Sequence, residues 1–124
     1  MNQYLCIAAG GATGALFRYF LSNGVHMILG RGFPWGTLVV NVSGSLLMGL
    51  LYILLIERSD VDPLWRAALL IGLLGAFTTF SSFSIETLNL LEAGGHLKAV
   101  GNVLLSVGLC LAGCWLGMVL GRSL

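Results

Sequence analysis

Charge is what this sequence has least of. Lys and Arg number 6 and Asp and Glu 5 in 124 residues, 9% of the chain, against about a quarter in ordinary soluble domains. A surface that poor in charge cannot keep a folded chain of this size in water. Apolar residues make up 57% and mean hydropathy is +0.95, more than the interior of one small domain can hide. With a net charge of only +1, the chain lacks the basic stripe that nucleic-acid binding requires. Cysteine occurs three times, at positions 6, 110 and 114, each within an apolar stretch. Cys110 and Cys114 share a helix face but have no His or carboxylate neighbours, so apolar packing accounts for them better than a metal site does. No nucleophile–base pair or phosphate-binding loop is present, and enzyme chemistry is the least expected function.

What is present is apolar sequence in membrane-length runs. A helix crosses the hydrocarbon core with about 20 apolar residues. Four stretches qualify, roughly 4–21, 35–56, 64–91 and 97–120, and together they predict a single all-α transmembrane domain over 1–124. The connectors hold most of the charge and the turn formers. One contains Gly30, Arg31, Gly32 and Pro34. The next runs Glu57-Arg58-Ser59-Asp60-Val61-Asp62-Pro63, with Asp62 as N-cap and Pro63 at the first helical position. The last contains Gly94-Gly95, a helix stop. His26 and His96 read as solvated loop residues. The first stretch is not expected to be a cleaved signal, since Arg18 follows its apolar run instead of preceding it.

An even number of spans puts Arg58, Arg66 and Arg122 on one side and Arg18, Arg31 and Lys98 on the other. Lys and Arg set orientation, and a tie leaves both orientations open. Small residues stripe every helix: Gly10 and Gly14; Asn41, Ser45 and Gly49; Ala68, Gly72 and Ala76; Gly113, Gly117 and Gly121. Helices in lipid associate through such close-packing faces, which predicts a compact bundle that oligomerises.

Polar groups inside a membrane cost free energy and mark function. The densest cluster is Thr78-Thr79-Phe80-Ser81-Ser82-Phe83-Ser84, five hydroxyls in seven residues in the third stretch. Hydroxyls can turn back on the backbone, and Gly72 and Gly75 just before them weaken the helix further. A helix break is expected here, with carbonyls exposed at membrane depth beside protein, water or an ion. Glu86 is the one acid within a helix interior and lies toward its end; Asn41, Asn102 and Ser106 complete the polar inventory. Phe80 and Phe83 can present ring edges, the positive part of the aromatic quadrupole. Donors and ring edges without a mid-membrane carboxylate suit a small anion.

Three segments resemble the signature stretches of the Fluc (also called CrcB) fluoride channel family. They are Gly10-Gly11-x-x-Gly14-Ala15-x-x-Arg18-Tyr19, Gly36-Thr37-Leu38-x-x-Asn41-x-x-Gly44-Ser45-x-x-x-Gly49, and Gly72-x-x-Gly75-x-x-Thr78-Thr79-Phe80-Ser81-x-Phe83-Ser84-x-Glu86. Position 82 is Ser where relatives often have Thr. The resemblance implies an antiparallel homodimer, one subunit inverted, with two fluoride pores in the plasma membrane of a bacterium. It implies that Phe80 and Phe83 form an aromatic box and that Asn41 is an amide donor on the path. Thr79, Ser81, Ser82 and Ser84 would continue a polar track, Glu86 would lie near a pore mouth, and Ser106 would be a contact from the fourth helix. It further implies that the backbone carbonyls of Gly75 and Thr78 bind a central structural Na⁺. Arg18 would charge a vestibule or simply snorkel. The competing expectation is a small multidrug exporter, disfavoured because the first helix has no acid; a non-transporting assembly subunit is the third.

Overall fold

The computed structural model describes residues 2–58 and 60–124; Ser59, in the expected polar connector, lies outside them. Four helical spans long and apolar enough to cross a membrane run Asn2–Leu29, Trp35–Glu57, Pro63–Glu92 and His96–Ser123. They match the four predicted stretches, with one consequential difference. The first helix continues to Leu29 instead of ending near Leu21. Its last turns hold Ser22, Asn23 and His26, so His26 is a buried helical residue and not a loop histidine. His96 opens the fourth helix. Arg18 thereby moves from a helix end to mid-helix, and loop charge stands at three on one side against Arg31 and Lys98 on the other.

The ends form as local chemistry dictates. Asp62 caps the third span by accepting from the Leu64 N–H at 2.9 Å, with Pro63 in the first turn. Gly94, at φ +82, closes the end of that span, a backbone angle glycine adopts without a Cβ penalty. The second span widens into a π-helical turn over Ile53–Glu57, and the third is π-helical over Ala67–Leu74.

The expected side for each connector is borne out by cross-loop bonds. Arg122 pairs with Glu57 at 3.2 Å and Arg58 donates to the Gly121 carbonyl at 2.9 Å, at one end of the bundle. At the other end the Lys98 ammonium donates to the Gly32 carbonyl at 3.2 Å.

The bundle is two parallel helix pairs. The first span packs on the first half of the third, and the second packs along the fourth. Each pair is built on the small-residue stripes. A Cβ at Gly10 would overlap the Ala68 carbonyl, and one at Gly14 the Leu73 carbonyl. Across the other seam, a Cβ at Gly49 would overlap the Cys114 carbonyl and one at Gly117 the Leu46 carbonyl. Backbones in van der Waals contact give dispersion its largest return where lipid removes any hydrophobic drive. The stripes are therefore used within the subunit. What lies outside is a wide apolar surface that includes Phe17, Phe20, Met27, Leu104 and Trp115, suited to acyl chains.

The close seam predicts a clean contrast. Gly14→Ala should lower stability by about 1–3 kcal/mol through overpacking, read as thermal or denaturant unfolding in detergent. Gly24 faces open space, and Gly24→Ala should be neutral or slightly stabilising through its helix propensity.

Candidate functional site: the broken third helix

The third span breaks where the hydroxyl cluster predicts. Gly75–Phe77 ends its first half and Phe80–Glu92 forms its second. Between them Thr78 (φ −83, ψ 156) and Thr79 (φ −150, ψ 121) are extended. Two residues of extended chain misalign the helical ladder, and the displaced bonds go elsewhere.

The Thr79 N–H would bond the Gly75 carbonyl in a continuous helix. It donates instead to Asn41 Oδ1 at 2.8 Å, while Asn41 Nδ2 donates to the Thr79 carbonyl at 3.0 Å. A primary amide thus pairs with a peptide group as a β-strand neighbour would, and the second span splints the break. The Ser82 N–H, which would bond the Thr78 carbonyl, is taken by the Thr79 hydroxyl at 3.2 Å, an N-cap on the second half. The Ala76 carbonyl accepts from Arg18 Nε at 3.1 Å. Arg18 is accordingly a ligand of the break, holding the first span to it, and not a snorkelling side chain.

Three carbonyls, those of Gly75, Phe77 and Thr78, are left without their helical donors. Gly75 is exposed on the subunit surface. At the same point the second half-helix begins with its unpaired N–H groups and the positive end of its dipole, the usual arrangement for an anion. Carbonyl oxygens and amide donors are offered on either side of a two-residue gap.

Around the break the expected residues divide among three spaces. The largest, about 410 Å³, is lined by Asn41, Thr78, Thr79, Phe80, Phe83 and Ser106 among others. Phe80 and Phe83 face each other with ring centroids 5.4 Å apart and planes at 47°; Phe80 is 77% exposed on the isolated subunit. Ser106 is positioned by Asn102, which is only 2% exposed and donates from Nδ2 to the Thr87 hydroxyl at 2.9 Å. The Ser106 hydroxyl donates to Asn102 Oδ1 at 3.3 Å, so its oxygen lone pairs remain for the cavity. A second space of about 230 Å³ is lined by Arg18, Ser22, Asn23, Thr37, Thr79 and Ser82. A third, about 240 Å³, holds Glu86, His26, Arg31 and Asn89.

Thr37 joins the second space to the third by donating to Glu86 Oε1 at 2.6 Å. The sequence places Thr37 in the second signature stretch, one turn before Asn41 on the same face, but gives it no role, since a single Thr in a glycine-rich helix carries little signal. Ser81 and Ser84 line none of these three spaces. Ser81 lies against the Thr79 hydroxyl at 3.3 Å, and Ser84 donates to its own-helix Phe80 carbonyl at 2.9 Å. Within the cluster, hydroxyls at the break cap it and those beyond turn back on the helix.

The model of the family described as "CrcB-like protein, Camphor Resistance (CrcB)" matches residues 5–118. This chain belongs to the CrcB family. Relatives named "Fluoride-specific ion channel FluC" are similar along the whole chain. That of Coxiella burnetii (strain Dugway 5J108-111) is 56% identical over 97% of this chain and 98% of the relative. That of Geobacter sulfurreducens is 48% identical over the full length of both. That of Methylococcus capsulatus is 59% identical over 100% of this chain and 55% of the relative. With four membrane-length spans, this CrcB-family chain is a multi-pass bacterial membrane protein.

The Asn41 splint predicts that Asn41→Leu strands the Thr79 peptide group in a low-dielectric setting. Unfolding in detergent should show a loss of about 1–2 kcal/mol. Amide exchange at Thr79 should rise, while Asn41→Asp, which can accept but not donate, should keep part of the protection.

Proposed function

We propose that this protein is a fluoride-selective channel that conducts passively through two pores of an antiparallel homodimer. The observation that carries the reading is the pinned break. It sets amide donors, hydroxyls and an aromatic pair around one mid-span cavity, with the sole nearby acid held a hydrogen bond away by Thr37 at the mouth. The names of the whole-length relatives support the same ion.

The donor set suits fluoride, which gives up its water only to groups that replace it. The second Nδ2 proton of Asn41, the first N–H groups of the half-helix and the ring edges of Phe80 and Phe83 are weak, fixed donors. None carries a full charge, so binding is favourable enough to enter and loose enough to leave. Arg18, held to the Ala76 carbonyl, sets a positive potential over the second space, where Thr37 and Ser82 supply hydroxyls. A cell-negative potential then drives the anion outward with about 2.3 kcal/mol per 100 mV.

A single subunit leaves these groups open on one side: Phe80 and Gly75 are exposed at membrane depth, where bare backbone carbonyls are not tolerated against lipid. An inverted second copy supplies the missing wall, and the near balance of loop charge permits both insertions. Gly75 and Thr78, whose carbonyls have lost their helical donors, fit a hard alkali cation. Oxygen-only ligation by neutral carbonyls is what Na⁺ takes, and these two carbonyls from each subunit would hold it at the centre of the dimer. When bound, Na⁺ supplies a fixed positive charge between the two breaks.

Liposomes containing the purified protein should release fluoride far faster than empty vesicles and retain chloride; release no faster than from empty vesicles would refute the reading. Phe80→Ile and Phe83→Ile should each cut fluoride efflux by at least about tenfold, the scale of one lost donor contact, while the protein still elutes as a dimer. Replacing all Na⁺ with N-methylglucamine should shift the dimer toward monomer in sizing and cross-linking experiments.

A further inference from the structure

The cavity at the break has a second wall of different chemistry. Met48, Cys110 and Cys114 line it together with Asn41 and the phenylalanines, so three sulfur-bearing residues share one space. Both cysteines are free thiols and neither is fully buried. They lie one turn apart on one face of the fourth span.

The second and fourth spans run in parallel and meet at Gly49, whose position abuts the Cys114 carbonyl. Met48 is the residue before that contact. A long helical side chain leans toward its own N-terminus, which carries the Met48 thioether to the level of Cys114. The second span therefore sets Met48 at the level of the turn that carries Cys114.

Thiolates and thioethers are soft ligands, matched to soft cations. No group of three His, Cys, Asp or Glu residues stands together among the described residues, so a zinc-type site is not formed. Two thiols and one thioether instead suit a monovalent d¹⁰ ion, which is content with two or three sulfurs. We propose that Met48, Cys110 and Cys114 bind a soft monovalent metal ion, Cu(I) or Ag(I), on the wall of the cavity at the break. Each coordinating thiol releases its proton to solvent as the sulfur–metal bond forms, and the metal keeps its oxidation state. With both thiols deprotonated the bound ion and its ligands carry a net single negative charge in the cavity that Phe80, Phe83 and Asn41 also line, which would repel an anion that otherwise passes. Metal binding stands independently of the fluoride reading; inhibition of conduction rests on it.

The experiment uses full-length protein in chloride-free detergent, titrated with silver nitrate. Calorimetry gives stoichiometry, and thiolate-to-metal absorption in the ultraviolet reports coordination. Cys6, on the first span and outside this cavity, is replaced throughout by Ser to leave the two thiols of interest. The C6S protein should bind one Ag(I) per chain. Cys110→Ser or Cys114→Ser alone should weaken binding by at least about tenfold, since even outer partners of a metal are worth that much, and the double replacement should abolish it. Met48→Leu should weaken binding without removing it. Two equal, independent Ag(I) ions per chain, or affinity unchanged by Met48→Leu, would overturn the three-sulfur site. Should the double variant misfold, protection from iodoacetamide decides: one equivalent of Ag(I) must shield both Cys110 and Cys114 in the C6S protein, and shielding of one alone refutes the proposal. In liposomes, Ag(I) should block fluoride efflux from the C6S protein and spare the double variant. Absence of efflux before silver is added would count against the channel reading and leave the binding result untouched.

Discussion

The double hydrogen bond between the Asn41 amide and the Thr79 peptide group is the interaction on which the rest depends. A helix interrupted at membrane depth must place its displaced backbone groups somewhere. Asn41 does this with a primary amide, whose donor and acceptor are spaced like those of a peptide unit. It satisfies both polar atoms of Thr79 at once and so holds the chain extended. Without it the N–H and carbonyl of Thr79 would stand unpaired at membrane depth, and the gap that separates carbonyls from amide donors would lose its splint.

Everything near the break follows from where those bonds are diverted. Because Thr79 N–H turns to Asn41, the Gly75 carbonyl loses its donor; because Thr79 Oγ1 caps Ser82, the Thr78 carbonyl loses its own. Of the two carbonyls between them, Arg18 occupies that of Ala76, and that of Phe77 has likewise lost its helical donor. One face of the gap is thus electronegative and the other, the start of the second half-helix, electropositive. Under the proposed function, opposite ions would meet complementary groups within a few residues of each other, and no ionised side chain has to be buried unpaired to provide them. Arg18 is the exception that is paired.

The rigid frame is what lets such a defect persist. The glycine seams bring backbones of the first and third spans, and of the second and fourth, into direct contact. That contact fixes Asn41 relative to Thr79 to within a hydrogen bond's tolerance. Asn102, almost wholly buried, ties the second half-helix to the fourth span through Thr87 and orients Ser106. The helix break is mobile in no obvious direction, because each of its flanks is bonded to a different neighbour.

Four spans, their connectors, the Asp62 cap and the location of the break were legible in the residues, since length, apolarity and clustered hydroxyls act locally. The length of the first helix was not. Ser22, Asn23 and His26 read as loop because they are polar, yet they continue the helix, where Gly36 of the second span admits Ser22 and the buried His26 at close range. Nor could the sequence divide the hydroxyls. Ser81, Ser82 and Ser84 look equivalent on paper, but only Ser82 faces a cavity formed by other helices.

By itself, then, the sequence determined a four-helix membrane domain with a polar interruption in its third span and donors suited to an anion. Its composition and periodicity act over one or two helical turns, and those properties need nothing more. Only the tertiary structure decided that Asn41 splints the break, that Arg18 serves the Ala76 carbonyl and that Thr37 meets Glu86. Each of those is a bond between residues 38 to 58 positions apart, set by how glycine seams register one helix against another. Register is a property of packed pairs and cannot be read from either helix alone.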